Sequence, residues 1–72
     1  MSVREAVLAV LADSEEPLHW TAVLDRALRS GRIDPFTTPD VRGEVLRALR
    51  ALVREGELVV ESKGVYRLRR SG

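Results

Sequence analysis

The chain contains 72 residues, with a formal net charge of +1, 44% hydrophobic residues, one histidine and no cysteine. This length predicts one small domain, and the lack of cysteine excludes disulfides and thiolate metal sites. No apolar run approaches the roughly 18 residues of a membrane span, and the N-terminus carries no signal-peptide pattern, so we expect a cytoplasmic protein without membrane contact.

Charge is distributed unevenly along the chain. Residues 1–36 carry four Arg against six Asp and Glu, a net −2, whereas residues 37–72 carry eight Lys and Arg against five acids, a net +3. Eleven of the 12 cations are Arg, the residue that makes bidentate contacts to phosphate and guanine. A high-GC coding bias explains the same composition, and composition alone does not decide between the two explanations.

The first predicted helix covers about residues 2–12. Ser2 and Glu5 form a capping-box pattern at its start. Its apolar residues recur at helical spacing; they are Val3, Ala6, Val7, Val10 and Leu11. The acidic segment 13–17 follows, and it is interpreted as a solvated turn because an acid/base pair would need a pocket and a partner.

A short strand is predicted at residues 18–20. Leu18 and Trp20 would share one face of this strand, and His19 would point to the other. Trp20 is interpreted as a core anchor rather than a base-stacking platform. His19 is interpreted as a surface residue rather than a pH switch or a DNA contact.

The second predicted helix covers about residues 21–30 and ends at Gly31. Its inward-facing residues are Val23, Leu24, Ala27 and Leu28. Asp25 and Arg29 form an i, i+4 pair on the outer face. In the loop that follows, we expect Ile33 and Phe36 to fold back onto the core.

The third predicted helix, about residues 39–55, has Thr38 as its N-cap, Pro39 in its first turn and Gly56 as its stop. Its apolar face consists of Val45, Leu46, Leu49, Leu52 and Val53. At about 100° per residue, Arg47, Arg50 and Arg54 lie on one strip nearly opposite that face, with Arg42 to one side.

Residues 57–70 predict a two-stranded hairpin, or wing, whose turn at residues 62–64 uses Gly64 for the positive φ that tight hairpins need. Alternation along its second strand assigns Tyr66 and Leu68 to the core and Arg67 and Arg69 to the opposite face. Which of residues 58–60 face inward stays open. Residues 18–20 are long enough to add a third strand.

The predicted fold is α+β, in the order helix, strand, helix, helix and two wing strands. This is a winged helix-turn-helix in a single domain, residues 1–72, with a small antiparallel sheet of two to three strands. Three motifs resemble those of HARE-HTH domains: residues 17–20 (PLHW), 38–40 (TPD) and 64–68 (GVYRL). These domains are the winged-helix modules of Asx-like chromatin proteins, certain restriction-modification proteins and the delta subunit of bacterial RNA polymerase. Residues 46–58 are equally similar to a generic winged-helix regulator.

The resemblance implies DNA binding within a larger transcription, chromatin or DNA-modification assembly, and a nucleoid-associated location. Helix three would enter the major groove and the wing would grip the backbone. The candidate nucleic-acid-binding residues are Arg42, Arg47, Arg50, Arg54, Lys63, Arg67 and Arg69. Gly43 would allow close backbone approach, whereas Asp40 in the first turn would repel a phosphate at the helix start.

Other interpretations of these residues stay open. Arg47 would pair with Glu44 on the helix surface, and Arg54 would complement the helix C-terminus. The competing hypothesis for the whole chain is a protein-interaction module that docks onto such an assembly without touching DNA. The sequence does not decide between DNA and RNA or give the oligomeric state.

No catalytic chemistry is predicted. The chain offers no Ser/His/Asp or Cys/His set and no glycine-rich phosphate loop, so we expect no enzyme activity, cofactor, metal site or small-molecule substrate. The expected partner is double-stranded DNA. Neutralising about five phosphates would give a slope of log K against log salt of roughly −4 to −5.

Overall fold

A computed structural model describes residues 2–70. Its helices are α1 (Val3–Ala12), α2 (Trp20–Arg29) and α3 (Val41–Arg54), and its strands are β1 (Leu18–His19), β2 (Leu58–Ser62) and β3 (Val65–Leu68). In chain order these run α1-β1-α2-α3-β2-β3. The predicted α+β arrangement is confirmed, and it is consistent with a winged helix.

The hydrophobic core lies where the three helices meet one face of the sheet. Apolar residues at helical spacing turn inward because their burial supplies the main favourable free energy of folding. The buried set is Ala6, Val7, Val10, Leu11, Leu18, Val23, Ala27, Ile33, Val45, Leu49, Leu52 and Leu58. Trp20, Tyr66 and Leu68 are partly buried and pack against it, as the sequence predicted for these three residues.

The sheet is antiparallel, and β3 is its central strand, between β1 and β2. Tyr66 pairs with both Leu18 and Val60, and Leu58 pairs with Leu68. Since directly opposite residues share a face of the sheet, these five side chains point towards the helices. Arg67 and its partner Val59 lie on the opposite face.

The question left open for residues 58–60 therefore has a definite answer. Leu58 is buried, Val59 faces away from the helices, and Val60 shares the face of Leu58 but is 48% exposed. Val60 lies beyond the area that the helices cover.

The residues between β1 and α2 differ from the prediction. Trp20 is the first residue of α2 rather than the last of a strand, and its N–H donates to the Gly64 carbonyl at 2.8 Å. His19 is the N-cap of α2, since its Nδ1 accepts from the Thr21 N–H at 3.2 Å. At Gly64, φ is +75° and a Cβ would lie 2.9 Å from His19 Nε2, so only glycine fits this turn against α2.

The predicted start of the third helix is also wrong. The N-cap is Asp40, with φ +52°, and Thr38 and Pro39 precede the helix. Thr38 already belongs to another turn, because its N–H donates to the Asp34 carbonyl at 3.0 Å. The helix therefore begins two residues later than predicted, at Val41.

Phe36 does not fold back onto the core as expected. Its side chain is 95% exposed, whereas Ile33 is 3% exposed and closes the core alone. The Phe36 N–H donates to the Asp34 carboxylate at 2.9 Å, and this turn directs the ring to solvent.

Within residues 2–70, no helix is long and apolar enough to cross a membrane.

Candidate nucleic-acid interface

The first turn of α3 is organised by Asp40. Its Oδ1 accepts a hydrogen bond from the Gly43 N–H at 3.2 Å, which satisfies one of the open donors at the helix start. A Cβ on Gly43 would lie 2.1 Å from Asp40 Oδ2. The structure shows that Gly43 makes room for the cap, and its predicted role in close approach of DNA stays a prediction. The carboxylate at this end disfavours a phosphate there.

Arg47 is occupied by acids of its own helix. Its Nη2 lies 3.0 Å from Glu44 Oε1, and its Nη1 lies 3.9 Å from Asp40 Oδ2. The side chain is still 61% exposed, so these pairs are solvated and individually weak. The pairing with Glu44 that the sequence allowed is present, and it makes Arg47 a weaker candidate for a phosphate contact.

Arg50 and Arg54 make no ion pair with any other residue in the described range 2–70. Both line one groove, together with Val53 of α3 and with Val60 and Tyr66 of the wing. We call this feature the α3–wing groove. It has a volume of about 260 Å³, an apolar floor and a cationic rim, and it places α3 cations beside the wing.

Arg42 lies near the start of α3, at the end where the hairpin turn packs. Its guanidinium carbon is 5.0 Å from the centre of the Trp20 ring, within the range of a cation–π interaction. Trp20 in turn bonds to Gly64 of the turn, and Lys63 precedes that glycine. Contacts through Trp20 therefore bring the Arg42 and Lys63 segments to the same end of the molecule.

Arg67 and Arg69 do not line the α3–wing groove. Arg67 lies on the sheet face away from the helices and forms an ion pair with Glu61. Both arginines line a separate cavity of about 350 Å³ beside the acidic segment 14–17. Arg69 Nη1 is 3.5 Å from where a Cβ of Gly56 would lie, just after α3. Of the seven predicted residues, the structure therefore places Arg50 and Arg54 together at the α3–wing groove, and Arg42 near the hairpin turn that carries Lys63.

A further ion pair fixes the C-terminal end of α3. Arg4 of α1 binds Glu55 through two hydrogen bonds, with Arg4 Nη1 2.8 Å from Glu55 Oε2. The Arg4 guanidinium lowers the pKa of the Glu55 carboxyl from its usual value, mainly by hydrogen bonding. The predicted capping box at Ser2 acts similarly on Glu5, whose pKa the Ser2 backbone N–H and side chain lower.

Sequence reasoning missed the apolar floor of the groove. Val53 packs against the core as predicted but is only partly buried, and Leu46, also predicted to face the core, is partly buried as well. Helical spacing shows which residues lie near an apolar face but does not show where its edge falls. No local signal marked this floor, because alternation places Leu58 and Val60 on one face of the strand but does not show that Val60 is left exposed.

No family model, no curated protein and no solved structure matches the chain.

Proposed function

We propose that the chain is a DNA-binding winged-helix module of the HARE-HTH type, acting within a larger transcription, chromatin or DNA-modification assembly. The proposed contact is the α3–wing surface, defined as Arg42, Arg50, Arg54 and Lys63. The observation that carries the proposal is the placement of Arg50 and Arg54 beside the wing without an acidic partner in residues 2–70. Cations without intramolecular partners can neutralise phosphates without first breaking an ion pair.

In this proposal α3 lies in the major groove of a duplex. Arg50 and Arg54 contact base edges or the flanking phosphates, and Lys63 reaches the backbone from the hairpin turn. Arg42 is held over Trp20 and contributes a phosphate contact from the start of the helix. The Asp40 carboxylate at the N-cap keeps phosphates away from the helix terminus itself, so binding depends on side chains rather than on helix-end amides.

The test is a double variant, Arg50→Ala with Arg54→Ala, titrated against a fluorescent duplex at low salt. The matched control is Arg26→Ala with Arg29→Ala on the exposed face of α2, which removes the same net charge. We expect the α3 variant to lose about tenfold or more in affinity, because two phosphate contacts are removed. The α2 variant should bind like the parent chain, and equal losses in both variants would contradict the proposal.

The second candidate function is a protein-interaction module. The specific observation in its favour is the half-buried apolar floor of the α3–wing groove, with Val60 48% exposed. A chain that shows no duplex binding at low salt, while Val60→Ser abolishes binding to a protein partner, would favour this candidate.

A further inference from the structure

Phe36 is a preformed apolar projection on the surface. Its side chain is 95% exposed, and the loop that carries it is fixed on both sides. Buried Ile33 anchors the loop before it, and the Asp34 carbonyl accepts from the Thr38 N–H at 3.0 Å after it. A side chain presented by an ordered turn loses little conformational freedom when it binds.

The α3–wing groove is an open surface depression that no side chain of residues 2–70 fills. Its volume of about 260 Å³ is sufficient for one phenyl ring. Its floor of Val53, Val60 and Tyr66 offers apolar contact, and Arg50 and Arg54 stand at its edge. Guanidinium groups in that position can stack on an aromatic ring that enters.

Phe36 and the groove are complementary in charge as well as in shape. Asp34, two residues before Phe36, is exposed, and within residues 2–70 its carboxylate bonds only the backbone N–H of Phe36. It therefore carries an unneutralised negative charge beside the ring. Arg50 and Arg54, which have no ion-pair partner among residues 2–70, carry positive charge beside the groove.

We propose that Phe36 of one copy of this chain inserts into the α3–wing groove of a second copy, with Asp34 facing Arg50 and Arg54. Each copy has one projection and one groove. A single contact of this kind is heterologous and leaves a free projection and a free groove on the pair, to which further copies can add head to tail. A single inserted ring buries far less than the roughly 1,200 Å² of a stable interface, so the association is weak and depends strongly on concentration.

The first experiment is sedimentation velocity on the whole chain, from about 0.05 to about 1 mM, a range suited to a contact below standard size. The average mass of the parent chain should rise across this range. Phe36→Ser and Val60→Glu should each stay monomeric. Both positions are exposed, and circular dichroism verifies that both variants fold. Val59→Glu adds the same charge on the opposite face of the sheet and should associate like the parent.

The second experiment mixes the two monomeric variants. Phe36→Ser keeps its groove and Val60→Glu keeps its projection, so an equimolar mixture should form pairs and nothing larger. A parent chain that stays monomeric at about 1 mM, a Phe36→Ser variant that associates like the parent, or a mixture without pairs would each overturn the proposal. Phe36→Ser should bind duplex DNA like the parent chain. A failure of self-association can therefore be distinguished from a failure of DNA binding.

Discussion

Gly43 and Asp40 act as a pair at the start of α3. Glycine within a helix is unfavourable by about 1 kcal/mol relative to alanine, and no local sequence pattern indicates a structural role for Gly43. In the structure the Asp40 carboxylate occupies the space in which a Gly43 Cβ would lie, with 2.1 Å between Oδ2 and that position. The helix therefore keeps its cap at the expense of helix propensity at one position.

This coupling predicts the result of a double-mutant cycle. Gly43→Ala alone should raise the free energy of unfolding by less than the usual value of about 1 kcal/mol, or should lower it. The reason is that the added Cβ displaces a cap that contributes about 1 kcal/mol. In an Asp40→Gly background the same substitution should stabilise by about 1 kcal/mol, since no carboxylate is displaced. Urea unfolding of the four chains measures both values. Equal effects of Gly43→Ala in the two backgrounds would show that the residues are not coupled.

Some residue-level features could be predicted from sequence and others could not. The capping box of Ser2 and Glu5 is local, and it is present as predicted. The role of Asp40 could not be predicted, because it depends on a φ of +52° that few non-glycine residues adopt. The exposure of Phe36 also could not be predicted. Its hydrophobicity indicated burial, whereas the turn at Asp34 determines the direction of the Phe36 side chain.

At the scale of elements, α3 has a narrower buried face than its sequence suggested. Val45, Leu49 and Leu52 are fully buried, whereas Leu46 is half-buried on the flank towards Arg50. Hydrophobic periodicity located the helix and its core side because burial drives both. It could not locate the edge of the core, which depends on how far the neighbouring elements extend.

Two leucine truncations test this assignment. Leu49→Ala should destabilise the fold by about 2–5 kcal/mol, as large-to-small changes in a core do. Leu46→Ala should destabilise the fold less than Leu49→Ala, by about 1 kcal/mol, because Leu46 is only partly buried and Leu49 is fully buried. Denaturant unfolding of both variants measures the change in the free energy of unfolding. Similar decreases for the two variants would contradict the assignment of the buried face of α3.

The ion pair of Arg4 with Glu55 links the start of α1 to the end of α3. The two residues are 51 positions apart, so no local pattern could have indicated the contact. The pair lowers the pKa of Glu55 in the folded state. Its stabilisation is therefore present above the unfolded pKa of Glu55 and is lost as pH falls through the lowered folded value.

Replacing Arg4 with Gln should accordingly lower the thermal midpoint at pH 7, because it leaves Glu55 unpaired at the negative end of the helix dipole. The difference from the parent should shrink as the pH is lowered towards about 3, where carboxylates become protonated. Arg26→Gln, at an exposed arginine without an ion pair in residues 2–70, is the control. A difference in thermal midpoint between Arg4→Gln and the parent that does not depend on pH would contradict the stabilising role of the Arg4–Glu55 ion pair.

At the scale of the whole molecule, the net charge of +1 conceals how the cations are arranged. The sequence predicted one positive surface shared by α3 and the wing. The structure instead places Arg50 and Arg54 at the α3–wing groove and Arg42 near the hairpin turn of Lys63, while Arg47 and Arg67 are paired with acids. The helical strip of arginines and the Arg47–Glu44 pair could be predicted from the sequence, whereas the Arg67–Glu61 pair depends on how the two wing strands pair.

The most direct test of the proposed function is the salt dependence of duplex binding. If the four cations of the α3–wing surface each neutralise a phosphate, log K should fall with log salt at a slope of about −3 to −4. Replacing Arg50 and Arg54 with Ala should reduce the magnitude of the slope by about 2, whereas Arg26→Ala with Arg29→Ala should leave it unchanged. A slope near zero, or a slope that the Arg50 and Arg54 substitutions do not change, would contradict binding through this surface.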